Sequence, residues 1–248
     1  MSGHSHYATI HRQKDIKDAQ KGRIFSKLAR EISIAVKSGG GADPLGNYKL
    51  RMVIDKARAA NMPKDNVDRA ITKGEGGEAL EEVTYEGFGP GGISVIVEAA
   101  TDNRNRTSQE IKNLFERGGG TLAGPGAVSF NFDPKALFII QKDKDPQNQI
   151  LQLIDLGIED FEETDDSIEI YVPVDKLKEV RDSLEQKNIP ISQVELIKKP
   201  KNYQEVGDLA KANSAMAFLE KLEDGDDVQR VFTNLSLPDA ILAQMKAS

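Results

Sequence analysis

The sequence predicts an α+β protein of several domains, with a small helical domain first and two sandwiches of strands and helices after it. Three observations predict this fold class. Apolar residues recur at helical spacing up to residue 74, they alternate with polar residues beyond residue 82, and the net charge changes sign between the two parts. Residues 1–77 hold 15 Lys and Arg against 8 Asp and Glu, whereas residues 78–248 hold 18 against 32. A basic module therefore precedes an acidic remainder.

The first predicted helix covers residues 22–37. Its apolar residues share one arc of a helical wheel, and its basic residues lie on the opposite arc. If the helix ran straight back, three lysines would fall on the apolar arc, namely Lys14, Lys17 and Lys21. The segment 4–21 is therefore expected to leave the core or to change phase near Gly22. A basic segment that projects beyond its own core would suit a phosphate backbone.

Two further short helices complete the predicted helical domain. Asp43 and Pro44 are expected to open a helix over 45–60, and Pro63 is expected to begin a third helix that ends at Gly74. The glycine-rich run that follows is interpreted as a linker, because the charge changes sign there.

Beyond the linker, alternating apolar residues predict strands, and helical patterns cross between them. The predicted strands are 82–86, 93–100, 127–132, 136–141, 158–162, 168–172, 193–198 and 229–235. The predicted helices are 107–117, 146–156, 174–187 and 208–222. The first of these helices is expected to open on a capping box at Thr107. Two strand–helix series predict two α/β sandwiches of ferredoxin-like type, each of about 60–100 residues.

The segment from Tyr85 to Gly92 contains the spacing G-x-G-x-x-G. In dinucleotide-binding proteins those glycines follow a strand and open a helix. Here a second strand follows, so the sequence predicts a hairpin connection. The chain has no Walker A motif and none of the catalytic motifs of protein kinases.

The residue inventory excludes several classes of protein. Cysteine is absent, which excludes disulfides, thiolate catalysis and cysteine-ligated metal centres. All three histidines precede residue 12, so the rest of the chain has no histidine base for a nucleophile. We expect a protein that is not an enzyme, with no catalytic residue, no metal site and no cofactor. We also expect a soluble, cytoplasmic monomer with no membrane partner, because the longest apolar run is about the length of one strand.

The excess of basic residues in the first 77 positions predicts a polyanionic partner, DNA or RNA, although a solvated helical face would show the same pattern. The candidate contacts in this domain are His4, Tyr7, His11, Arg12, Lys14, Lys17, Lys21, Arg23, Lys27, Arg30, Arg51 and Arg58. The first four would form a tip able to enter a narrow site, and the last two are secondary contacts.

A second candidate contact lies between a predicted strand and the helix that follows it. Arg104, Asn105 and Arg106 stand beside a helix N-terminus, where free N–H groups and a partial positive charge attract phosphate. The alternative is an ordinary loop in which Asp and Asn cap the turn while the arginines pair with nearby carboxylates. Spacing alone leaves both interpretations open.

Several of these motifs, taken together and in order, resemble those of one family. They are Gly3-His4-Ser5, the basic helix that ends in the glycines at 39–41, Asn61-Met62-Pro63, the run 85–92 and the run 102–107. From end to end, the chain resembles the YebC family, which includes the mitochondrial translational activator of cytochrome c oxidase. Tyr7 stands where the family usually has Trp, and Thr121 stands where Asn is common.

The resemblance implies three domains, with the third inserted into the second. The implied boundaries are 1–77 for the basic helical domain, 78–132 plus 204–248 for the second domain, and 133–203 for the third. The resemblance also implies a regulator of gene expression. Bacterial members are described as DNA-binding transcriptional regulators, whereas other members act in translation, including factors that relieve stalled proline-rich synthesis at the ribosome.

The sequence leaves the mechanism open between these alternatives. No predicted helix has Asn, Gln and Arg clustered on an exposed N-terminal face, which favours ribosomal or transfer RNA over readout of a DNA major groove. Two interpretations from other classes also remain. One is an unrecognised enzyme that uses Asp102 and Arg104, and the other is a protein adaptor that uses the acidic domains.

Overall fold

A computed structural model of the chain describes residues 4–6, 18–76, 80–158, 160–164 and 166–247. The chain divides into two compact units. One comprises Met1–Asn131 and Pro200–Ser248, and the other is Phe132–Lys199. The second unit is therefore inserted into the first. The predicted fold class is confirmed, because helices come first and sheets with packed helices follow.

Three helices form the N-terminal part of the first unit: α1 (Asp18–Ser38), α2 (Tyr48–Ala59) and α3 (Lys64–Glu75). Their apolar faces form one core, whose fully buried members include Ile32, Leu50 and Ala57. The predicted start of α1 is wrong, since the helix already runs from Asp18 and continues unbroken through Gly22.

The predicted start of α2 is also wrong. Asn47 caps this helix, because its side-chain oxygen accepts a hydrogen bond from Leu50 N at 3.0 Å. Its amide nitrogen donates to the Ala35 and Gly41 carbonyls at 2.7 Å each, which fixes the glycine turn against α1. Asp43 and Pro44 therefore belong to the preceding loop.

The second part of the first unit is a four-stranded sheet with helices packed against it. Its strands are β2 (Glu81–Phe88), β3 (Ser94–Thr101), β4 (Thr121–Ala123) and β10 (Val228–Thr233), in the order β10-β3-β2-β4. The helices are α4 (Arg104–Arg117) and α7 (Leu209–Glu223). Val95 and Val97 of β3 share a buried core with Phe115 of α4 and Leu219 of α7. The predicted hairpin is confirmed, since β2 and β3 pair antiparallel across the glycine-rich turn.

Packing explains why so many glycines stand near this hairpin. The Phe115 and Phe218 rings meet edge to face, with their centroids 5.2 Å apart. A Cβ at Gly118 would lie 2.3 Å from Phe218 Cδ2, and a Cβ at Gly89 would lie 2.7 Å from Phe218 Cε1. Glycine is required because the backbone lies directly on the ring.

The predicted strand over 127–132 is wrong. The carboxylate of Glu86 accepts hydrogen bonds from the backbone N–H groups of Gly126, Val128 and Ser129, at 2.8–2.9 Å. These N–H groups are therefore not available to a sheet ladder, and the segment forms a turn followed by one turn of 3-10 helix, Ser129–Asn131. The strand β5 begins only at Phe132 and continues to Gln141.

The first unit also has a small sheet and a helix that the sequence pattern did not predict. The sheet joins β1 (His4–His6), β11 (Leu235–Pro238) and β9 (Gln204–Glu205) in the order β1-β11-β9, and the helix is α8 (Asp239–Ala247). The strands are too short to show a repeating pattern.

The second unit has the β-α-β-β-α-β succession of a ferredoxin-like sandwich. Its elements are β5, α5 (Pro146–Asp155), β6 (Phe161–Glu163), β7 (Ser167–Pro173), α6 (Leu177–Gln186) and β8 (Ile191–Pro200), with sheet order β6-β7-β5-β8. Its core includes Phe138, Leu153 and Leu184, all fully buried.

Candidate nucleic-acid interface

Several predicted contacts of the N-terminal segment involve residues whose side chains the structure does not describe. Outside the described residues lie Tyr7, His11, Arg12, Lys14 and Lys17. Lys21 and Arg23 belong to α1, but their side chains are not among those described. His4 lies in β1, with its backbone opposite Pro238 of β11. The expected projecting arm therefore does not include residues 4–6, whose backbone is part of a sheet.

Two predicted phosphate contacts on α1 are occupied within the chain. The ammonium of Lys27 donates to the carbonyl oxygen of Glu223, at the end of α7. The guanidinium of Arg30 donates to the carbonyl of Asp226 and pairs with the Asp227 carboxylate at 3.0 Å. Both side chains therefore help to hold the helical domain on the second domain, and no free cation is available at either position in this arrangement.

Glu31, the residue after Arg30, supplies a negative charge to the contact between the two domains. The carboxylate of Glu31 pairs with Lys56 of α2 at 3.2 Å and with Arg230 of β10. Burial raises the pKa of Glu31, but the attraction of Lys56 and Arg230 outweighs it, and the pKa falls to about 2. Glu31 is therefore a fixed negative charge between the two domains.

The carboxylate of Asp227 accepts hydrogen bonds from side chains of both domains. Besides Arg30, its carboxylate accepts from Thr107 Oγ1 at 2.6 Å, Arg106 at 3.0 Å and Thr101 Oγ1 at 3.3 Å. Burial raises the pKa of Asp227, while these hydrogen bonds and the two guanidinium charges lower it further than burial raises it. Asp227 thereby brings together the two predicted contact regions, because Arg30 and Arg106 meet at the same carboxylate.

The helix N-terminus at Arg104 differs from the predicted one. Asn103 caps α4 by accepting from Arg106 N at 3.1 Å, so Thr107 lies one turn inside the helix and is buried. The predicted capping box at Thr107 is therefore wrong. Arg106 also pairs with Asp102 at 2.8 Å, whereas Arg104 and Asn105 are exposed.

The secondary candidates on α2 lie in different surroundings. Arg51 donates to the carbonyls of Pro44 and Leu45 at 3.0 Å each, so it braces the loop before α2. Arg58 is 74% exposed and lies 3.5 Å from Asp55. Of these two, Arg58 is the one presented to solvent.

The exposed charges of the helical domain nearly balance over residues 24–76. The exposed cations are Lys37, Lys49, Arg58, Lys64, Arg69 and Lys73, and the exposed carboxylates are Asp43, Asp55, Asp65, Asp68 and Glu75. The rest of the positive excess of the domain lies in the segment before residue 24 and in half-buried side chains, where Lys27 and Arg30 of α1 and Arg51 and Lys56 of α2 outnumber Glu31.

The described parts of the chain show neither a metal-binding cluster nor a membrane-spanning helix. They contain no group of three or more His, Asp and Glu residues placed to hold a metal ion. None of their helices is long and apolar enough to cross a membrane. Asp102, which the sequence offered as part of an alternative enzyme site, is 69% exposed and bound to Arg106.

Family models match nearly the whole chain. Residues 5–77 match the TACO1/YebC protein N-terminal domain, and residues 80–235 match the TACO1/YebC second and third domain. The chain belongs to the TACO1/YebC family. The resemblance inferred from the motifs is thereby confirmed.

Members of the TACO1/YebC family resemble the chain over its full length. A protein of Dictyoglomus turgidum is 45% identical over 99% of this chain and 100% of its own, and one of Chloroflexus aurantiacus is 43% identical over 100% of both. Each is named "Probable transcriptional regulatory protein". The crystal structure of a conserved hypothetical protein from Aquifex aeolicus has a TM-score of 0.85 and 40% identity, covering 94% of this chain and 98% of that one.

Sequence reasoning missed Glu31, Asp227 and Arg230. One signal was present, because Glu31 is the single acidic residue between positions 22 and 37. A lone carboxylate in a basic helix indicates a specific partner. No signal identified Asp227 and Arg230, which lie about 200 positions along the chain from α1 in an acidic run that solvation would explain equally well.

Proposed function

We propose that this protein is a nucleic-acid-binding regulator of gene expression that catalyses no reaction. Its helical domain binds phosphates through α1 and the basic segment that precedes it. Arg58 and the exposed residues Arg104 and Asn105 of α4 add further contacts. The rest of the acidic part of the chain adds no contact to nucleic acid.

The observation that carries this proposal is the location of the excess positive charge. The outward surface over residues 24–76 is nearly neutral, so a nonspecific cationic shell is not present there. Residues 12–37 hold eight cations against three carboxylates, whereas residues 43–75 hold seven against five, so most of the excess lies on α1 and the segment that leads into it. A line of cations along one element suits a phosphate backbone, which presents negative charge at regular intervals. The names of the family relatives support a regulatory role.

A contact in α3 favours structured RNA over sequence-specific DNA. Asn66 and Arg69 are the side chains of this helix that would suit base edges in a major groove. They bind each other, with Arg69 donating to Asn66 Oδ1 at 3.0 Å. We therefore propose an RNA-binding translation factor that acts at the ribosome as the second form of the same function, beside a DNA-binding transcriptional regulator.

The test reverses the charge of three lysines in the segment before α1 and in the first turn of α1. The variant Lys14→Glu, Lys17→Glu, Lys21→Glu is compared with a control of equal charge change, Lys178→Glu, Lys211→Glu, Lys221→Glu, whose lysines are exposed on α6 and α7. Fluorescence anisotropy measures the affinity for a labelled RNA hairpin and for a DNA duplex of equal length. We expect the first variant to lose at least about tenfold in affinity at 100 mM salt and the control to change about twofold.

Equal losses in the two variants would contradict the proposed interface. The same titrations separate the two forms of the function. A clear preference for a promoter duplex over a scrambled duplex supports the transcriptional form, whereas tighter binding to the hairpin together with co-sedimentation on ribosomes supports the translational form.

A further inference from the structure

Among the residues that the structure describes, the helical domain and the second domain do not share an apolar core. The buried apolar cluster of the first lies within residues 24–71, and that of the second within residues 85–245, with no residue in common. Polar contacts of α1 with residues 223–230 connect the two. We call these contacts the seam.

At the seam, cations of α1 bind carbonyl and carboxylate oxygens, which accept hydrogen bonds as the oxygens of a phosphate backbone do. The acidic turn Glu223-Asp-Gly-Asp-Asp227 links α7 to β10. Its carbonyl oxygens bind Lys27 and Arg30, and its Asp227 carboxylate binds Arg30 a second time. Arg30 remains 32% exposed and Arg230 remains 28% exposed, so solvent and solutes reach the edge of the seam. A polyanion that arrives there meets cations that are already partly exposed.

Ionic contacts and hydrogen bonds of Lys27, Arg30 and Glu31 hold the closed seam. Contacts of this kind can be exchanged for those of another anion.

We infer that the acidic turn 223–227 is a built-in competitor for nucleic acid, which occupies Lys27 and Arg30 until a polyanion displaces it and opens the seam. This inference rests on the proposed function and adds the regulation of the same surface. When the seam opens, α1 presents Lys27 and Arg30 to phosphates, and Asp227 also loses one of the two guanidinium groups that it holds. The chain then binds more tightly than its closed form does.

The competition sets a measurable penalty on affinity. If only a fraction of the molecules is open, the apparent affinity for nucleic acid is reduced by that fraction. A substitution that weakens the acidic turn without touching α1 should recover the loss. It should also steepen the dependence of affinity on salt, because in the unaltered chain salt weakens the ionic contacts of the closed seam and so offsets part of the loss.

The experiment compares two adjacent substitutions of equal charge change. Asp227→Asn removes the carboxylate that binds Arg30 and Arg106. Asp226→Asn changes an exposed carboxylate and leaves intact the carbonyl that Arg30 contacts. The probe is the labelled RNA hairpin described above, titrated in the full chain at several salt concentrations. We expect Asp227→Asn to bind about three- to tenfold more tightly than Asp226→Asn, with a steeper salt slope.

If the two variants bind the hairpin with equal affinity and equal salt slope, the acidic turn is not a competitor for nucleic acid. The proposed function would be unaffected by that result. Failure of every variant and of the unaltered chain to bind would overturn the proposed function, and the competitor with it.

A second measurement leaves the seam residues unaltered. Since the chain has no cysteine, spin labels attach only at introduced sites. Asp68→Cys on α3 and Glu110→Cys on α4 are exposed positions on either side of the seam. We expect the distance distribution between the labels to shift and broaden when the RNA hairpin is added. If the distance distribution is unchanged at saturating RNA, the seam does not open on binding and the inference is wrong. This measurement does not require Asp227→Asn to be stable enough to study.

Discussion

Two buried carboxylates, Glu86 and Asp227, are each surrounded by several hydrogen-bond donors, but the donors are of different kinds. Glu86 accepts from three backbone N–H groups and from the Ser129 side chain, all within one loop, the segment 126–129. Asp227 accepts side-chain donors that come from both domains of the first unit. In both, burial raises the pKa and the donors lower it by more.

The difference determines what each carboxylate can do. Backbone N–H groups cannot leave Glu86 without unfolding of the loop, because unpaired buried N–H groups are costly. A guanidinium can be transferred from Asp227 to another anion with little change of backbone. We therefore assign Glu86 to the fold and Asp227 to a contact that can be exchanged, and the following substitutions test that division.

The largest effect is expected at Glu86. Glu86→Ala leaves three backbone N–H groups without their acceptor, and we expect the second domain to lose about 4 kcal/mol of unfolding free energy. The loss should be the same in low and high salt, because the donors carry no net charge. Hydrogen exchange of the β2 and β3 amides measures it, with Glu82→Ala, an exposed position of the same strand, as the control. A loss that disappears in high salt would contradict the division.

A smaller and pH-dependent effect is expected at Glu31, the fixed charge beside the seam. Its pKa in the folded chain is about 2, below the ordinary value of 4.5, so its stabilisation is complete above pH 4.5 and is lost as the pH falls towards 2. The shift corresponds to a stabilisation on the order of 3 kcal/mol. Glu31→Gln should therefore destabilise the helical domain near pH 7 and match the unaltered chain near pH 2.

Hydrogen exchange of α1 amides measures this effect domain by domain, which a single unfolding curve of a multidomain chain does not. Glu75→Gln, an exposed carboxylate at the end of α3, is the control. A destabilisation by Glu31→Gln that persists unchanged at low pH would show that packing, not charge, is responsible.

Helix α1 shows which features of the structure the sequence predicts and which it does not. The arc of apolar residues predicts which side is buried, and Ile32 and Val36 are buried as expected. The opposite arc predicts basic residues in solvent, yet Lys27 and Arg30 contact residues 223–227. Periodicity within one helix reports burial in its own core, and it carries no information about a partner about 200 positions away.

The same limit explains the misplaced elements of the second domain. The predicted strand over 127–132 has strand-like residues, but the decisive acceptor is Glu86, which lies on another strand. The short strands β9 and β11 depend on pairing with β1 and with each other. Long-range partners decided both outcomes, whereas local patterns were sufficient for α3, α5 and the hairpin of β2 and β3.

The smallest effect is expected at the exposed pair of Arg58 and Asp55, a third kind of ionic contact. Both side chains are well exposed, and the atoms lie 3.5 Å apart within one helix. Asp55→Asn should change the unfolding free energy by no more than about 0.5 kcal/mol, because solvent already screens the pair. It should also leave the label distance across the seam unchanged, while releasing Arg58 for phosphate and tightening RNA binding about twofold at low salt. If Asp55→Asn shifted the label distance as much as added RNA does, the opening would report overall charge, and the seam would have no special role.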